Sequence, residues 1–265
     1  MTASPVIGPS PLDGGRLRRR IAAGEATLGT FVGTASAVTA EVCASTGVDW
    51  LLLDLEHGAG GEEQLRSVVL AGASYGVPTI VRVETATRIR IGRVLDLGAA
   101  GVMLPRLDSA AEVAQALNHL YYAPYGDRGV ATYTRACRFG RDLAALDRSS
   151  DEILGVVQIE SKAALDEVDR IAGLPGADVL FVGPRDLSHD LGVPGEVTSP
   201  RFIAALDKVL NAARSNNKAC GLLVGDGVAA AARLAEGWTF VAIGSDSTLL
   251  AAALAGHLNS ARTNQ

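Results

Sequence analysis

The stretch DWLLLDLEHGAG, residues 49–60, poses the fold question most sharply. From Trp50 to Leu53 it is apolar without a break, and then Asp54, Glu56 and His57 arrive in quick succession before Gly58. A strand with one wet face would alternate polar and apolar residues. An unbroken apolar run bounded by turn residues is the pattern of a parallel strand buried on both faces. Unpaired carboxylates are costly to bury. The polar end therefore marks either the surface just past a buried strand or a place where several such ends converge.

The same pattern recurs along the chain, in TLGTFVGT (27–34), PTIVRV (78–83), AGVMLPRL (100–107), LGVVQIE (154–160), ADVLFVG (177–183), ACGLLVG (219–225) and FVAIGSD (240–246). Between these runs lie helical patterns such as EEQLRSVVLAGASYG, TRIRIGRVLDLG, SAAEVAQALNHL, SKAALDEVDRIAG, FIAALDKVLNAARS and VAAAARLAEG. Most stop at a glycine just before the next strand, a common helix terminator. Eight strands alternating with helices in 265 residues predict a (β/α)8 barrel. The rival, a doubly wound open sheet, usually carries a G-x-G-x-x-G turn after an early strand, and none stands there. The domain reading is a loose Pro-, Ser- and Gly-rich tail over 1–15 and a single barrel over 16–265. The longest break between strands, 108–153, holds one helical pattern and then YYAPYGDRGVATYTRACRFGRD, a length that suggests a functional loop.

Composition narrows the function. Net charge is -5 and the pI about 5.4, which argues against a nucleic-acid partner. The one dense basic run, Arg16 to Arg20 in RLRRR, opens an amphipathic stretch and reads as a solvated helix face. Cys43, Cys137 and Cys220 are odd in number and widely spaced, which suggests neither a zinc site nor a disulfide framework and points to a reducing cytoplasm. Met1 to Ser10 lacks the pattern of a signal peptide. No apolar run reaches the ~18 residues of a membrane span.

In such barrels the active site lies at the carboxyl ends of the strands. Those ends carry Asp54, Glu56 and His57; Arg82; Arg106; Gln158 and Glu160; Arg185 and Asp186; and Ser245 and Asp246. Glu160 and Asp186 follow adjacent strands. They suit a hard divalent cation, or each belongs to the first turn of a following helix. His57 is placed to act as a general base, or is simply exposed. Arg82 interrupts a buried run and needs an anion, either a structural carboxylate or a developing oxyanion. A Schiff-base mechanism would need a buried lysine at the mouth. Of Lys162, Lys208 and Lys218, only Lys162 falls near it.

Taken together and in order, DWLLLDLEHG, IVRV, LDLGAAGVMLPRL, YAPYGDRG, VVQIES and ADVLFVGPRDLSHDLG resemble the metal-dependent (class II) pyruvate aldolases, among them the 4-hydroxy-2-oxoheptanedioate and 2-keto-3-deoxy sugar-acid aldolases. The resemblance implies a barrel of the phosphoenolpyruvate/pyruvate-binding type, with its last helix exchanged between subunits of a homohexamer, a trimer of dimers. It implies cleavage of a 4-hydroxy-2-oxo acid to pyruvate and an aldehyde, in the breakdown of aromatic or sugar acids. Glu160 and Asp186 would hold Mg²⁺, Mn²⁺ or Co²⁺. His57 would be the base, Arg82 would stabilise the transition state, and Gln158 and the backbone at Arg185 would contact substrate. Asp96 would raise the basicity of the histidine, from a neighbouring chain because it precedes the fourth strand. Glu84 and the loop APYGDRG depart from the usual pattern at the pocket rim, which bears on the aldehyde. Two further readings stand beside this one. The first is a lyase acting on a CoA ester or a dicarboxylate, of citramalyl or malyl type or an oxaloacetate decarboxylase. The second is a non-catalytic 2-oxo-acid-binding protein.

Overall fold

A computed structural model describes residues 14–263. Eight parallel strands close into a barrel in chain order. They are β1 (Thr27–Val32), β2 (Trp50–Asp54), β3 (Thr79–Arg82), β4 (Gly101–Leu104), β5 (Leu154–Ile159), β6 (Val179–Val182), β7 (Ala219–Val224) and β8 (Phe240–Ser245). The (β/α)8 prediction holds. The predicted tail over 1–15 lies outside the described residues except for Gly14 and Gly15, which open the first helix, α1 (Gly14–Ala22).

Strand periodicity sorts each apolar run into two rows. Trp50 and Leu52 point into the barrel with Phe31, Ile80, Met103, Val156, Val179, Phe181 and Phe240. Leu51 and Leu53 point outward into the layer shared with the helices. That is why the runs are continuous: both faces are buried. The inner row begins with an aromatic layer. A Cβ on Gly29 would run into the Trp50 ring, so glycine leaves room for the indole, which stacks on Phe240 with centroids 4.0 Å apart. Below this layer α1 closes the amino-terminal end with Leu17 and Ile21. Arg18 pairs with Asp178 at 3.0 Å and Arg20 with Asp49 at 2.7 Å. Part of the basic run thus ties α1 to the strand starts rather than forming only a solvated face.

The helices of the layer are α2 (Ala37–Ser45), α3 (Glu62–Ser74), α4 (Arg88–Asp96), α5 (Ala110–Asn118), α6 (Ala145–Glu152), α7 (Lys162–Asp166), α8 (Val168–Ala172), α9 (Pro184–Asp190), α10 (Pro200–Ser215), α11 (Gly227–Glu236) and α12 (Asp246–Thr263). The single helix read from SKAALDEVDRIAG is two, broken at Glu167, whose carboxylate accepts the Ala110 N–H at 2.7 Å. The long β4–β5 connection contains a 3₁₀ turn, Arg135–Cys137, and α6. Helix α12 leaves Leu249, Leu250, Leu254 and Leu258 exposed. Among the described residues no helix is long and apolar enough to cross a membrane.

Candidate active site

At the carboxyl end of the barrel the inner rows change from apolar to polar. Asp54 continues the row of Trp50 and Leu52, Arg82 that of Ile80, and Gln158 that of Leu154 and Val156. The register sets Asp54 beside Arg82. Their side chains meet in a two-pronged pair, Nε to Oδ1 at 2.9 Å and Nη2 to Oδ2 at 2.7 Å, and both are buried. Arg82 thus has a structural carboxylate as its partner. Its Nη1 also lies 3.2 Å from Glu56 Oε2, and its guanidinium carbon sits 5.5 Å from the Phe31 ring centroid.

Asp54 also shapes the turn that follows it. Its Oδ1 accepts the N–H groups of Glu56 at 3.0 Å and His57 at 3.2 Å. Gly58 completes the turn, because a Cβ there would collide with the Asp54 carbonyl and come within 3.0 Å of the Gly33 carbonyl. One buried carboxylate therefore fixes both the guanidinium and the backbone that carries the imidazole. Burial pushes the Asp54 carboxyl up, but Arg82 and the two N–H groups outweigh it and hold the group below the ordinary carboxylate range. The His57 side chain is 67 % exposed, with Nε2 3.7 Å from Glu56 Oε2.

Glu160 stands just past β5, buried. Its Oε1 accepts the Arg106 N–H at 2.7 Å and its Oε2 accepts Gln158 Nε2 at 2.7 Å. Arg106 pays a conformational cost for that contact, with φ at 48° in the left-handed region. Gln158 Oε1 is buried with no partner in the protein. Burial is the main force raising the Glu160 carboxyl above its ordinary value, and the charges of Glu56 and Asp186 add to it. Glu56 is raised as well, by burial first and then by Asp54 and Asp186, against the pull of Arg82 and His57. Asp186 lies in the first turn of α9, so the helix-start reading describes its backbone, while its side chain faces the cavity.

The cavity at this mouth measures about 580 Å³. His57, Arg82, Gln158, Arg185 and Asp186 line it, with Asp54, and Glu160 stands behind Gln158. Asp96 does not join them. It ends α4 and accepts from Arg128 Nη2 at 2.7 Å. No lysine lines the cavity: Lys162 pairs with Asp166, Lys208 lies within α10, and Lys218 reaches the Leu174 carbonyl at 3.4 Å.

Among the described residues no group of three or more His, Cys, Asp or Glu side chains is arranged to hold a metal. The pair Glu160 and Asp186 still fits a hard divalent ion whose remaining ligands are oxygens from water and substrate. Its donors are carboxylates, the neighbouring Gln158 Oε1 lacks a partner, and Gly183 keeps the space over Glu160 open, since a Cβ there would stand 2.6 Å from Oε2. The sequence reading gave no site role to Asp54 or Glu56. The signal for Asp54 was its parity with Trp50 and Leu52; Glu56 shares that parity but lies past the end of β2.

The family model for HpcH/HpaI aldolase/citrate lyase matches residues 27–253. The 2-keto-3-deoxy-L-rhamnonate aldolase of Escherichia coli (strain K12) is 35% identical over 238 residues, 89% of each chain. Among solved structures, an HpcH/HpaI aldolase/citrate lyase family protein from Burkholderia cenocepacia J2315 superposes with a TM-score of 0.89 at 32% identity, covering 94% of this chain and 99% of the other. An HpcH/HpaI aldolase from Desulfitobacterium hafniense DCB-2 gives 0.86 at 27%, over 93% and 96%.

Proposed function

The chain belongs to the HpcH/HpaI aldolase/citrate lyase family, and from that premise we propose that it is a divalent-metal-dependent aldolase that reversibly cleaves a 4-hydroxy-2-oxo acid to pyruvate and an aldehyde. The observation that carries this reading is the meeting of an imidazole, a guanidinium and the Asp186 carboxylate around one cavity, with Glu160 against Gln158 beside it and with the guanidinium and the imidazole's backbone fixed by the same buried acid.

Glu160 and Asp186 would hold Mg²⁺, Mn²⁺ or Co²⁺, which would act as a Lewis acid toward negative charge on the 2-oxo acid. The remaining steps belong to the chain. Gln158 and the backbone at Arg185 position the 2-oxo acid. His57 takes the proton of the C4 hydroxyl, directly or through one water. The C3–C4 bond breaks, the C4 oxygen becomes the aldehyde carbonyl, and the electron pair moves through C3 to the C2 oxygen, giving the enolate of pyruvate. Protonation at C3 then yields pyruvate. Asp54 takes Nε and one Nη2 hydrogen of Arg82 and Glu56 faces Nη1, so the second hydrogens of Nη1 and Nη2 remain for the oxygen that gains charge. Asp96, paired with Arg128 and off its own cavity, would support the histidine from a second chain.

A homo-oligomer with α12 exchanged is part of this proposal, supported by the exposed leucines of that helix. A cytoplasmic location fits three free thiols. The family description also covers citrate lyases, so a dicarboxylate or CoA ester is the alternative substrate. The test is pyruvate against an aldehyde panel, with and without added metal. Metal-dependent carbon–carbon bond formation is the expected result. Turnover only of a CoA ester or dicarboxylate would favour the alternative, and ligand binding without turnover would mark a binding protein.

A further inference from the structure

A second cavity, of about 340 Å³, opens at the amino-terminal end of the barrel, away from the mouth. Its volume lies at the small end of the ~300–1,000 Å³ range of small-molecule sites. Residues of α5, of the turn from α8 to β6, of α1 and of α6 line it. Most of the lining is apolar: Leu117 of α5, Leu174 and Pro175 of the turn, and the ring of Tyr121. Gly176 lets the turn pass close to that ring, with φ at 83°, where a Cβ would stand 2.8 Å from the phenol oxygen. Burial pushes the Tyr121 phenol up to about 12, so the ring brings no negative charge.

Arg18, Asn118 and Ser150 give this apolar lining its polar points. Arg18 donates one N–H to the Ser150 carbonyl and one to Asp178, the latter at 3.0 Å. A guanidinium has five N–H donors, so three remain unused within the chain. The Asn118 amide and the Ser150 hydroxyl are engaged by no other group among the described residues. No acid lines the cavity. Asp178 is a neighbour of Arg18, its Oδ2 held by the Gly155 N–H at 3.0 Å, and Asp151 is exposed beside Ser150. The pair with Asp178 offsets part of the Arg18 charge. What the cavity offers is therefore a set of convergent donors around one cation, beside an apolar surface.

We infer that this cavity is a second ligand site, which takes a small monocarboxylate with an apolar body. The carboxylate oxygens accept from Arg18, Asn118 and Ser150, and a ring or short chain lies along Leu117, Leu174 and Pro175. A carboxylate has about four acceptor positions, which is what this donor set lacks. A dicarboxylate would bring its second charge against apolar lining without a partner. The site does not depend on the aldolase reading, because none of its residues belongs to the mouth.

The experiment is titration calorimetry of the full chain with 3-phenylpropanoate, 3-phenylpropan-1-ol and pentanedioate, with and without saturating pyruvate and Mg²⁺. The monocarboxylate should bind once per chain, with the same affinity whether or not pyruvate is present. The alcohol should bind about tenfold or more weakly, since a hydrogen bond to a charged group contributes more than a neutral one. Pentanedioate should bind more weakly as well. Ala114 lines the same cavity and is exposed on α5, so the indole of Ala114→Trp should fill the space without entering the core and abolish binding. The double variant Asn118→Ala, Ser150→Ala should weaken it about tenfold. No saturable binding, displacement by pyruvate, equal affinity for acid and alcohol, or unchanged binding in Ala114→Trp would each overturn the assignment. The wild-type comparison and the double variant decide even if Ala114→Trp fails to fold. Heats of binding need no turnover, so a failed aldolase reading leaves this test standing, and a failed test here leaves that reading intact.

Discussion

Asp54 binds stability and chemistry together in one side chain. It holds Arg82 through two hydrogen bonds and the Glu56 and His57 backbone through two more. Truncating one member of a buried ion pair leaves the other charge uncompensated, so Asp54→Ala should cost ~3–5 kcal/mol in urea unfolding. Its pH dependence has a definite sign. A carboxyl held below its unfolded value of ~3.9 stabilises the fold at higher pH and loses that contribution as pH falls through the lowered value. The Asp54→Asn deficit should therefore be full at neutral pH and shrink below about pH 4. Glu160 carries the opposite sign. Its raised carboxyl stabilises most when protonated, below its unfolded value near ~4.3, and that contribution is lost as pH rises through the raised value. Without added metal, Glu160→Gln should melt higher than wild type at pH 7 and at about the same temperature near pH 3. Its aldolase activity should be gone. A Gln variant that melts lower at neutral pH would mean that the ionised acid is not a strain on the fold.

Elements explain which parts of this arrangement the sequence disclosed. The strands and the polar mouth were legible because they depend on local pattern: apolar runs give both rows, and the first polar residue of an inner row marks the mouth. Arg82 in IVRV and Gln158 in VVQIE follow that rule. The break at Glu167 was not legible, because the group that captures its carboxylate, the Ala110 N–H, is 57 residues away. Glu56 was hidden for a similar reason, since its significance comes from Arg82 on the next strand. The start of α9 tests the same idea by mutation. Gly183 precedes that helix, and a Cβ there would lie 2.6 Å from Glu160 Oε2 and 2.9 Å from Glu160 Cβ. Gly183→Ala should push the carboxylate off its contacts with Arg106 and Gln158. We expect weaker metal binding by titration calorimetry and at least tenfold lower turnover, at a stability cost within the ~1–3 kcal/mol usual for overpacking.

At the scale of the whole molecule the barrel divides its labour between two ends. The amino-terminal end is closed by Leu17 and Ile21 of α1 against the lower inner row, and the carboxyl-terminal end is a polar cavity. Stability and catalysis should therefore respond to different mutations. Leu17 is buried, so Leu17→Ala should lose ~2–5 kcal/mol, yet kcat measured well below the melting temperature should stay within about twofold. His57, exposed at the other end, should behave in the reverse way. His57→Ala should leave the melting temperature within a degree or two and metal affinity close to wild type, while kcat falls ~10²–10⁴-fold, the usual weight of a general base. Chelator should abolish turnover in wild type and in Leu17→Ala alike, and borohydride with pyruvate should trap no adduct, since the three lysines are all engaged or placed away from the cavity. If Leu17→Ala slowed catalysis as much as it destabilised the fold, the two ends would be coupled through the aromatic layer of Trp50, Phe181 and Phe240. The barrel would then transmit strain along its axis instead of isolating the mouth from its base.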